Sequence, residues 1–404
     1  MEKGIAVSEA VETLLGLPVE LKTEHVAIGD AFDRVLAEDV AAVIPYPPFE
    51  RSPFDGYAFR ASDVSGASKE TPVTLTINQE IPAGSPSVLD ISEGFAAKIL
   101  TGAPIPSGAD TVVKFEDTDF TDKTVTVFEP SKSGKNIVLA GEDITVGTIL
   151  AVKGTVISQA LMGLFASQGL KTVPVNKKPV ISILNTGTEL AELGLPLKPG
   201  MIYNSSTYTL RGFLMAMGAE FSDAGVVVDD EKEIAARIKA ALETSDMVIT
   251  TGGASVGDYD CAVRAAEYAG GEILFWKIKM RPGGSLLAYF LDGKLVLALS
   301  GNPGAAILGL LRLGLPFIRK LCGRSDVMPE TCRVHIAEEM TKKSAVPRIV
   351  RGYLDIREGE AWFVENAGQG GGDISSFLRC DLLAEIPADC TPLPKGTLVT
   401  AYRI

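Results

Sequence analysis

The chain has 404 residues, of which 46% are hydrophobic, so it is long enough for about two to four domains with buried cores. Its 38 basic residues are outnumbered by 51 acidic ones, which gives a formal net charge of -13. This charge argues against a surface that coats nucleic acid, and any recognition of phosphate groups must therefore be local.

Nothing in the sequence predicts a targeting signal or a membrane span. The first ten residues contain acids and lack the apolar core of a signal peptide. The most apolar later segments are interrupted by Asp292 and Lys294, or by Arg312 and Pro316, so none is expected to cross a bilayer. The five cysteines are scattered and form no CxxC pair, which fits a reducing cytoplasm, the predicted location.

The two histidines, His25 and His335, are far apart and lack the spacing of metal ligands. Each is predicted to face solvent or to make a structural hydrogen bond. The sequence therefore predicts neither a zinc centre nor a Ser-His-Asp triad.

The N-terminal part begins with a helical pattern and then becomes proline-rich. Residues 7–15 have apolar side chains at helical spacing, with Ser8 as the expected N-cap, and residues 31–43 predict a second segment, short helical or mixed. Four prolines within residues 45–53 exclude a helix and disfavour a central strand. Composition leaves two interpretations of residues 45–59 open: a linker pinned by aromatic packing, or a segment with a specific function.

Residues 71–157 are predicted to be entirely β, because apolar and polar side chains alternate between turn residues. Two of the turns carry polar groups beside glycine. Residues 100–110 place Thr101 next to Gly102, and residues 140–144 place Glu142 and Asp143 next to Gly141. From the residues alone, ordinary hairpin turns are the favoured interpretation of both.

After Pro174 the pattern changes to alternating strands and helices, which predicts a parallel, doubly wound sheet. Ligands bind such sheets at the carboxyl ends of the strands. Acids follow three of the predicted strands and should gather along one edge; they are Glu189, Asp229, Asp258 and Asp260. The alternative is helix N-capping by aspartate, to which Asp229 and Asp230 are the most open.

The stretch at residues 246–260 combines a short apolar strand, a Gly/Ser turn and two of these acids. Glycines such as Gly252 and Gly253 allow backbone N–H groups to approach an anion closely. Two acids in the same loop would repel a bare phosphate unless a divalent cation lay between them. The stretch therefore predicts a site for a metal ion together with a phosphate-like anion.

Two later segments predict further anion contacts. Residues 274–281 read as a strand with Leu274, Trp276, Ile278 and Met280 on one face and Lys277, Lys279 and Arg281 on the other. The cationic face predicts a polyanion site, with a solvated edge strand as the alternative. Residues 300–304 turn into an apolar helix whose N-terminus is a third possible anion site, and β structure, a small barrel or sandwich, returns beyond Asp326.

Several motifs occur in an order that resembles the molybdopterin molybdenumtransferase family, the bacterial MoeA proteins and the E domain of gephyrin. The resemblance covers essentially the full length. It rests on Pro-Pro-Phe-x-x-Ser-x-x-Asp-Gly-Tyr-Ala (residues 47–58), Thr-Gly-Ala-Pro-Ile-Pro (101–106), Gly-Glu-Asp-Ile (141–144), Asn-Thr-Gly-Thr-Glu-Leu (185–190), Thr-Gly-Gly-Ala-Ser-Val-Gly-Asp-Tyr-Asp (251–260) and Gly-Asn-Pro (301–303).

The resemblance implies a multidomain α/β plus β fold with four domains in an elongated homodimer. The linker domain I would comprise residues 25–44 and 144–177, and the mostly-β domain II residues 45–143. The MogA-like doubly wound α/β domain III would comprise residues 7–24 and 178–326, and the small C-terminal β-barrel domain IV residues 327–404.

The resemblance also implies a reaction: insertion of molybdate into adenylated molybdopterin, with Mg²⁺, releasing AMP and molybdenum cofactor. Molybdopterin adenylyltransferase is the implied upstream partner, and neither nucleic acid nor membrane is expected.

The implied site combines groups from two subunits. Glu189, Asp229 and Asp260 would bind the cation, and Asp55, Thr101 and Asp143 would line the molybdate side from the partner subunit. The substrate-binding positions are Gly252, Gly253, Ser255, Lys277, Lys279, Arg281, Gly301, Asn302 and Pro303, with Lys277 also holding the pterin phosphate or stabilising developing negative charge.

The chain departs from the family pattern mainly by losing cations and hydroxyls. The usual Pro-Gly-Lys-Pro is Pro-Gly-Gly-Ser at residues 282–285, and the usual Pro-Gly-Asn-Pro is Ser-Gly-Asn-Pro at residues 300–303. An often arginine-rich segment is Val-Leu-Ala at 138–140, and a serine-containing loop is Gly-Gly-Gly at 370–372, followed by Cys380-Asp381 instead of Ala-Asn. These losses keep two alternatives open: a non-catalytic or divergent paralogue that binds the pterin as a carrier or assembly module, and a tungstate-using enzyme.

Overall fold

The computed structural model describes residues 3–253, 261–390 and 392–404. Within them the chain forms two compact units, each built from separate stretches of sequence. The larger unit comprises residues up to Glu38, Lys153–Ser158 and Thr172–Ile404, and the smaller comprises Asp39–Val152 and Gln159–Lys171. The four-domain division of the sequence analysis stays a prediction.

The strands and helices are as follows. The strands are β1 (Lys3–Ile5), β2 (Thr23–Ala27), β3 (Val40–Ala41), β4 (Gly56–Phe59), β5 (Val73–Ile81), β6 (Phe95–Ile99), β7 (Thr111–Lys114), β8 (Thr118–Phe120), β9 (Thr124–Val127), β10 (Ile149–Ala151), β11 (Thr172–Asn176), β12 (Val180–Thr186), β13 (Leu190–Ala191), β14 (Ile202–Tyr203), β15 (Glu220–Val227), β16 (Met247–Thr251), β17 (Glu272–Ile278), β18 (Leu287–Leu291), β19 (Lys294–Leu299), β20 (Thr331–Ile336), β21 (Arg348–Arg357), β22 (Glu360–Glu365), β23 (Leu382–Ile386) and β24 (Leu398–Arg403). The helices are α1 (Val7–Gly16), α2 (Gln159–Ser167), α3 (Ser206–Ala216), α4 (Glu231–Thr244), α5 (Cys261–Ala269), α6 (Pro303–Gly309) and α7 (Leu315–Leu321), with a π-helix at Leu310–Gly314 between the last two.

The larger unit is centred on a seven-stranded sheet in the order β1-β17-β18-β19-β16-β12-β15. Strands β19, β16, β12 and β15 run parallel to one another, whereas β18 is antiparallel to both β17 and β19. The sheet is therefore doubly wound as predicted, with one antiparallel strand that the sequence analysis did not anticipate.

Helices cover both faces of this sheet because each presents an apolar stripe to it. On one face α1, α3, α6 and α7 pack against a core that includes Leu14, Leu210 and Ile307. On the other face α4 and α5 pack through Ile234 and Ile238 among others. The central strand β16 is fully buried, as expected of a strand covered on both sides.

The C-terminal part of the same unit is a closed barrel in the strand order β20-β22-β21-β23-β24. Its core includes Val334, Phe363 and Ala401. The predicted small barrel or sandwich is thus a barrel. Strand β23 was missed by the sequence analysis, although its side chains are largely buried.

The smaller unit contains a six-stranded sheet in the order β7-β4-β6-β5-β9-β8. Strands β5 and β6 are parallel, and the other pairs are antiparallel. Tyr57 and Phe59 of β4 belong to the core cluster on one face, and Ala58 belongs to the cluster on the other. Within residues 71–157 the predicted alternation is confirmed in β9, where Val125 and Val127 are buried and Thr124 and Thr126 are half-buried. The segment is not entirely β, because Phe115–Asp117 form a 3-10 turn.

Three local expectations are corrected or confirmed by the contacts. Ser8 lies inside α1, whose N-cap is Ala6 without a side-chain hydrogen bond, so the predicted cap is wrong. Residues 31–43 form turns and short β bridges instead of a helix, because their backbone pairs with distant residues such as Thr155 and Pro174. His335 donates from Nδ1 to the Gly396 carbonyl, 2.9 Å away, and His25 is exposed, as predicted.

No disulfide joins the five cysteines, all of which lie within the described ranges. Throughout the described ranges there is no helix long and apolar enough to span a bilayer.

Replacing Ile249 in β16 by Ala should lower the free energy of unfolding by about 2–5 kcal/mol, because this side chain has no solvent exposure and its removal leaves a cavity. Urea-induced unfolding followed by circular dichroism measures the effect. Ile202→Ala is the matched control, since Ile202 is 55% exposed and its loss should change the free energy by less than about 0.5 kcal/mol. Equal effects of the two substitutions would contradict the placement of β16 in the core.

Candidate functional site

Four loops of the larger unit follow adjacent parallel strands and lie at one edge of the sheet. The strand order β19-β16-β12-β15 places Gly301 beside Gly252, then Gly187 with Glu189, then Asp229. The predicted gathering of these groups at the carboxyl ends of the strands is therefore confirmed for Glu189 and Asp229. Ser255, Asp258 and Asp260 fall in residues 254–260, outside the described residues.

Gly252 is held in a position that no other residue type could occupy without displacing its neighbours. Its φ is 93°, and a Cβ there would overlap the carbonyl oxygen of Thr186. A Cβ on Gly301 would lie 3.2 Å from the Gly252 Cα. Gly253, with φ of 65°, continues the left-handed backbone. The three loops after β12, β16 and β19 are thus packed main chain against main chain, which leaves a surface where an anion can approach N–H groups.

A buried hydrogen-bond network fixes the strand ends beneath these loops. Asn185 is fully buried, accepts from the Thr251 hydroxyl at 2.8 Å and donates to the Thr207 hydroxyl at 2.6 Å. Asn204 also donates to Thr207 and caps the start of α3 by accepting from its N–H. The network ties β12, β16 and α3 together. The sequence analysis included Asn185 in a motif but gave it no role; an asparagine in an otherwise apolar strand was the signal.

The acids of this edge differ in their surroundings. Glu189 is exposed and its carboxylate folds back over Gly187, where a Cβ would lie 2.5 Å from Oε2. Asp229 is also exposed. Asp230 caps α4, accepting from the N–H groups of Lys232 and Glu233 at 3.0 and 2.9 Å. The N-cap alternative is therefore correct for Asp230.

The donor chemistry of the edge suits a hard divalent cation, because Glu189 and Asp229 offer carboxylate oxygens after neighbouring strands. Among residues 3–253, 261–390 and 392–404 there is no preassembled group of three or more potential metal ligands. The predicted third ligand, Asp260, lies outside those ranges.

The predicted face of the cationic strand is wrong at Trp276. Phe275 packs in the same core cluster as Ile278 and Met280, whereas Trp276 packs against the cluster on the opposite face. The reason is a register shift between Ile273 and Phe275, followed by a left-handed residue at Lys277 with φ of 66°. Simple alternation does not survive such a break.

The three cations consequently have different settings. Lys277 is half-buried, and its Nζ lies 4.4 Å from the centroid of the Trp276 ring. Lys279 and Arg281 are exposed. The backbone of Arg281 pairs with the barrel by donating to the Pro347 carbonyl and accepting from the Ile349 N–H, both at 3.0 Å.

The glycine at 284, where the family pattern has lysine, is required by its surroundings. A Cβ there would lie 2.7 Å from the Ile278 carbonyl oxygen and would overlap that of Met280. The Gly284 carbonyl accepts from the Ile278 N–H at 3.0 Å, which closes the turn. The missing cation is therefore part of the local fold and could not be restored by substitution alone.

The smaller unit brings a second set of predicted residues together. Asp55 Oδ1 accepts from both the N–H and the hydroxyl of Thr101, each at 2.7 Å. These two hydrogen bonds, the backbone one first, hold the pKa of Asp55 below its ordinary value of 3.8. The carboxylate is thereby kept ionised and oriented, although it is exposed.

The proline-rich segment connects this pair to the loop that carries Asp143. Ser52 exchanges backbone hydrogen bonds with Gly102 and Ala103, and Arg51 pairs with Val138 in both directions at 3.0 Å. The N–H of Asp143 donates to the Tyr46 carbonyl at 3.1 Å. The segment, residues 45–59, thus forms a proline-rich strip between two polar loops. This arrangement favours the interpretation of the segment as functional over its interpretation as a simple linker.

This architecture defines a multidomain protein in which an α/β domain presents ligand loops at one sheet edge and is followed by a closed barrel. Three family profiles match in that order: the MoeA N-terminal region (domain I and II) at residues 5–169, a probable molybdopterin binding domain at 182–320, and the MoeA C-terminal region (domain IV) at 333–404.

Similar proteins extend over the whole chain. A molybdopterin molybdenumtransferase of Staphylococcus aureus (strain MSSA476) is 33% identical over 98% of this chain and 94% of its own length. One from Staphylococcus epidermidis (strain ATCC 12228) is 32% identical over the same shares. A crystal structure of the molybdopterin biosynthesis moeA protein from Pyrococcus horikoshii OT3 superposes with a TM-score of 0.85 at 28% identity, covering 100% of both chains. The chain therefore belongs to the molybdopterin molybdenumtransferase family, a family of transferases.

Thr101→Val should raise the pKa of Asp55 toward its ordinary value of 3.8 without fully restoring it, because the Thr101 N–H still donates. The folded-state pKa is lowered, so these hydrogen bonds stabilise the fold above the ordinary pKa and cease to do so as pH falls through the folded-state pKa. A carbon-13 NMR titration of the Asp55 carboxyl measures the change. Thr126→Val, which removes a hydroxyl that is hydrogen-bonded to Thr74 and does not contact Asp55 within the described ranges, is the control. An unmoved Asp55 pKa in Thr101→Val would refute the contact.

Proposed function

We propose that the protein inserts molybdate into adenylated molybdopterin, releasing AMP and yielding molybdenum cofactor. The observation that carries the proposal is the packed edge at Gly252, Gly301 and Thr186, in a chain whose relatives bear the name of this activity. Main-chain N–H groups on such an edge bind an anionic substrate without the bulk of side chains. Local anion binding of this kind also suits a protein with a net charge of -13.

On this proposal the substrate lies along the strand ends. Gly252, Gly253 and Ser255, with Gly301, Asn302 and Pro303 on the neighbouring loop, surround its phosphate groups. Lys277, Lys279 and Arg281 offset its negative charge, and the Trp276 ring beside Lys277 holds that ammonium group close to the protein surface.

The acids of the edge supply the ligands for Mg²⁺. Glu189 and Asp229, together with Asp260, would hold the ion, which when bound neutralises charge on the adenylate as its phosphoanhydride is cleaved. Gly187 contributes by leaving room for the Glu189 carboxylate above its Cα, a place that any Cβ would fill.

The molybdate side of the site is assigned to Asp55, Thr101 and Asp143 of a partner subunit in a homodimer. Thr101 donates its hydroxyl proton to Asp55, so the Thr101 oxygen keeps lone pairs for a metal ion or for a donating water. The same pair of hydrogen bonds lowers the pKa of Asp55 and orients its carboxylate, which can accept protons or ligate a metal centre.

Exposed apolar side chains support the homodimer. They lie on the proline-rich strip and on the loop paired with it, next to the Asp55–Thr101 pair: Val43, Ile44, Tyr46, Phe49, Phe54 and Leu139. A run of exposed apolar residues rimmed by polar groups is typical of a protein–protein interface. A second copy of the chain that packed on this strip would bring the neighbouring Asp55–Thr101 pair to the site that the two subunits share.

The biosynthetic setting follows from the substrate. An adenylated pterin requires an enzyme that adenylates it, so molybdopterin adenylyltransferase is the proposed upstream partner, and the cytoplasm is the proposed location. Tungstate is chemically close to molybdate, and an insertion assay that compares the two oxyanions identifies the one used.

A second candidate function is binding of molybdopterin without transfer, as a carrier or assembly module. The turn at Gly284 favours it, because the backbone there excludes the lysine of the family pattern. Calorimetric binding of the pterin without any AMP release would support this candidate over the enzyme.

Purified protein supplied with adenylated molybdopterin, molybdate and Mg²⁺ should release AMP, measured by liquid chromatography. Glu189→Gln should lower kcat by about 100-fold or more, because it removes a proposed cation ligand while keeping the shape of the side chain. Glu192→Gln is the matched control, as it changes an exposed glutamate three residues further along the chain, just after β13. No AMP release beside an active S. aureus relative would rule out the transferase proposal for this chain.

Mixing two inactive variants should restore activity if the site is shared between subunits. Asp55→Asn and Glu189→Gln, unfolded together and refolded at equal amounts, should recover about a quarter of wild-type AMP release, since half of the dimers are mixed and one of their two sites is intact. The control is each variant refolded alone. Continued inactivity of the mixture, with both variants dimeric by light scattering, would place the two acids in the same subunit's site.

A further inference from the structure

A loop of the C-terminal barrel lies on the first turn of α6. The Ala305 N–H donates to the Gly371 carbonyl at 2.8 Å, so one of the unpaired N–H groups of the helix start is satisfied by the barrel. A Cβ built on Gly371 would lie 3.7 Å from the Asn302 Cβ. The barrel loop at residues 368–373 therefore adjoins the Gly301–Pro303 turn.

Arg351 of β21 is the residue that holds this loop in shape. It has no solvent exposure, although it is an arginine. Its guanidinium donates to the Gly370 carbonyl at 2.9 Å, to the Asp373 carbonyl at 3.1 Å and to Gln369 Oε1 at 3.3 Å. Gln369 in turn exchanges hydrogen bonds with the Arg351 backbone. The buried side chain of Arg351 thus binds three residues of a single loop, Gln369, Gly370 and Asp373.

The chemistry of these contacts is unusual for a buried arginine. The guanidinium is bonded to two main-chain carbonyls and a side-chain amide, while the Asp373 carboxylate is turned away to accept from the Gly370 N–H at 2.6 Å. Burial lowers the pKa of Arg351. Burying this charge is costly, and the hydrogen bonds from the fixed fork of donors to acceptors in the loop, together with the nearby charge of Asp373, offset part of that cost.

The helix side of the contact is shaped to match. A Cβ at Gly304, the second residue of α6, would lie 2.9 Å from Arg351 Nη1, 2.9 Å from the Gly371 carbonyl oxygen and 3.0 Å from that of Asp373. The loop, the guanidinium and the helix are therefore in contact at one point. A glycine at that point is what permits the close approach.

We propose that Arg351 is a positioning residue for the proposed transferase reaction: it holds the barrel loop at residues 368–373 against the Gly301–Pro303 turn, so that loop and turn form one substrate-binding surface. This inference rests on the proposed function. Arg351 is fully buried and acts through the loop, without touching the substrate.

Arg312 provides a matched control, because it is a second buried arginine that joins the same helical segment to the same barrel. It lies in the π-helix, pairs with Glu385 at 2.9 Å and stacks 3.5 Å from the Tyr402 ring centroid. Within the part of the chain that the structure describes, its side-chain hydrogen bond and ion pair go to Glu385 of β23 and not to the loop at residues 368–373. Its loss should weaken the attachment of the barrel and leave the loop in place.

The experiment compares Arg351→Met, Arg351→Lys, Gly304→Ala and Arg312→Met in the full-length protein. Hydrogen exchange read by mass spectrometry follows the backbone of residues 368–373, and steady-state AMP release gives KM and kcat. Arg351→Met should speed exchange in the loop and raise KM for adenylated molybdopterin by about 10- to 100-fold, with a smaller change in kcat. Arg351→Lys should fail to restore either value, since one ammonium cannot replace the guanidinium fork.

Gly304→Ala tests the same contact from the helix side without removing a charge, and it should also speed loop exchange and raise KM. Arg312→Met should lower the melting temperature as Arg351→Met does, while KM and loop exchange stay at wild-type values. Equal KM effects of the two arginine variants, or an unchanged loop in Arg351→Met, would overturn the proposal. If the wild-type protein releases no AMP, the proposed function fails, and loop exchange together with calorimetric pterin binding still decides whether Arg351 positions the loop for binding.

Discussion

The close packing of main chain at the carboxyl ends of β12, β16 and β19 is the constraint on which the rest of the larger unit depends. Gly252 lies against Thr186 and Gly301, with no room for a Cβ, so the three loops can approach only as bare backbone. Beneath them, the fully buried Asn185 joins Thr251 to Thr207. The surface that results is made of peptide groups and bordered by acids, which are properties that suit the proposed binding of an anionic substrate together with a cation.

The smaller unit also fixes its polar groups through the backbone, but by different contacts. Its proline-rich strip has few free conformations, and it pairs on one side with the Thr101 loop and on the other with the loop that carries Asp143. Asp55 is then oriented by two hydrogen bonds from Thr101. Rigid backbone fixes the polar groups in both units, by close glycine contacts in one and by proline and β bridges in the other.

Much of the fold was accessible from the sequence because its signals are local. The apolar stretch of β16, the helical spacing of Ile234, Ile238 and Leu242, and the glycine turns after strands all depend on neighbours within a few residues. Predictions from local patterns are wrong where contacts between residues distant in the chain change the backbone. Trp276 was assigned to the wrong face because neither the register shift after Ile273 nor the left-handed Lys277 leaves a mark in the alternation pattern. Ser8 is a residue type that often caps helices, but α1 starts at Val7, so Ser8 is the second residue of the helix.

The sequence by itself determined the alternation of strands and helices after Pro174, the doubly wound sheet, and the placing of Glu189, Asp229 and the glycines at strand ends, since strand polarity and periodicity follow from the chain directly. Only the tertiary structure decided which groups meet. It paired Asp55 with Thr101, which is 46 residues away, made Asp230 a helix cap, excluded a side chain at Gly284, and buried Arg351 in the loop that adjoins α6. Such contacts join residues far apart in the chain, and their energies depend on distances that no local pattern encodes.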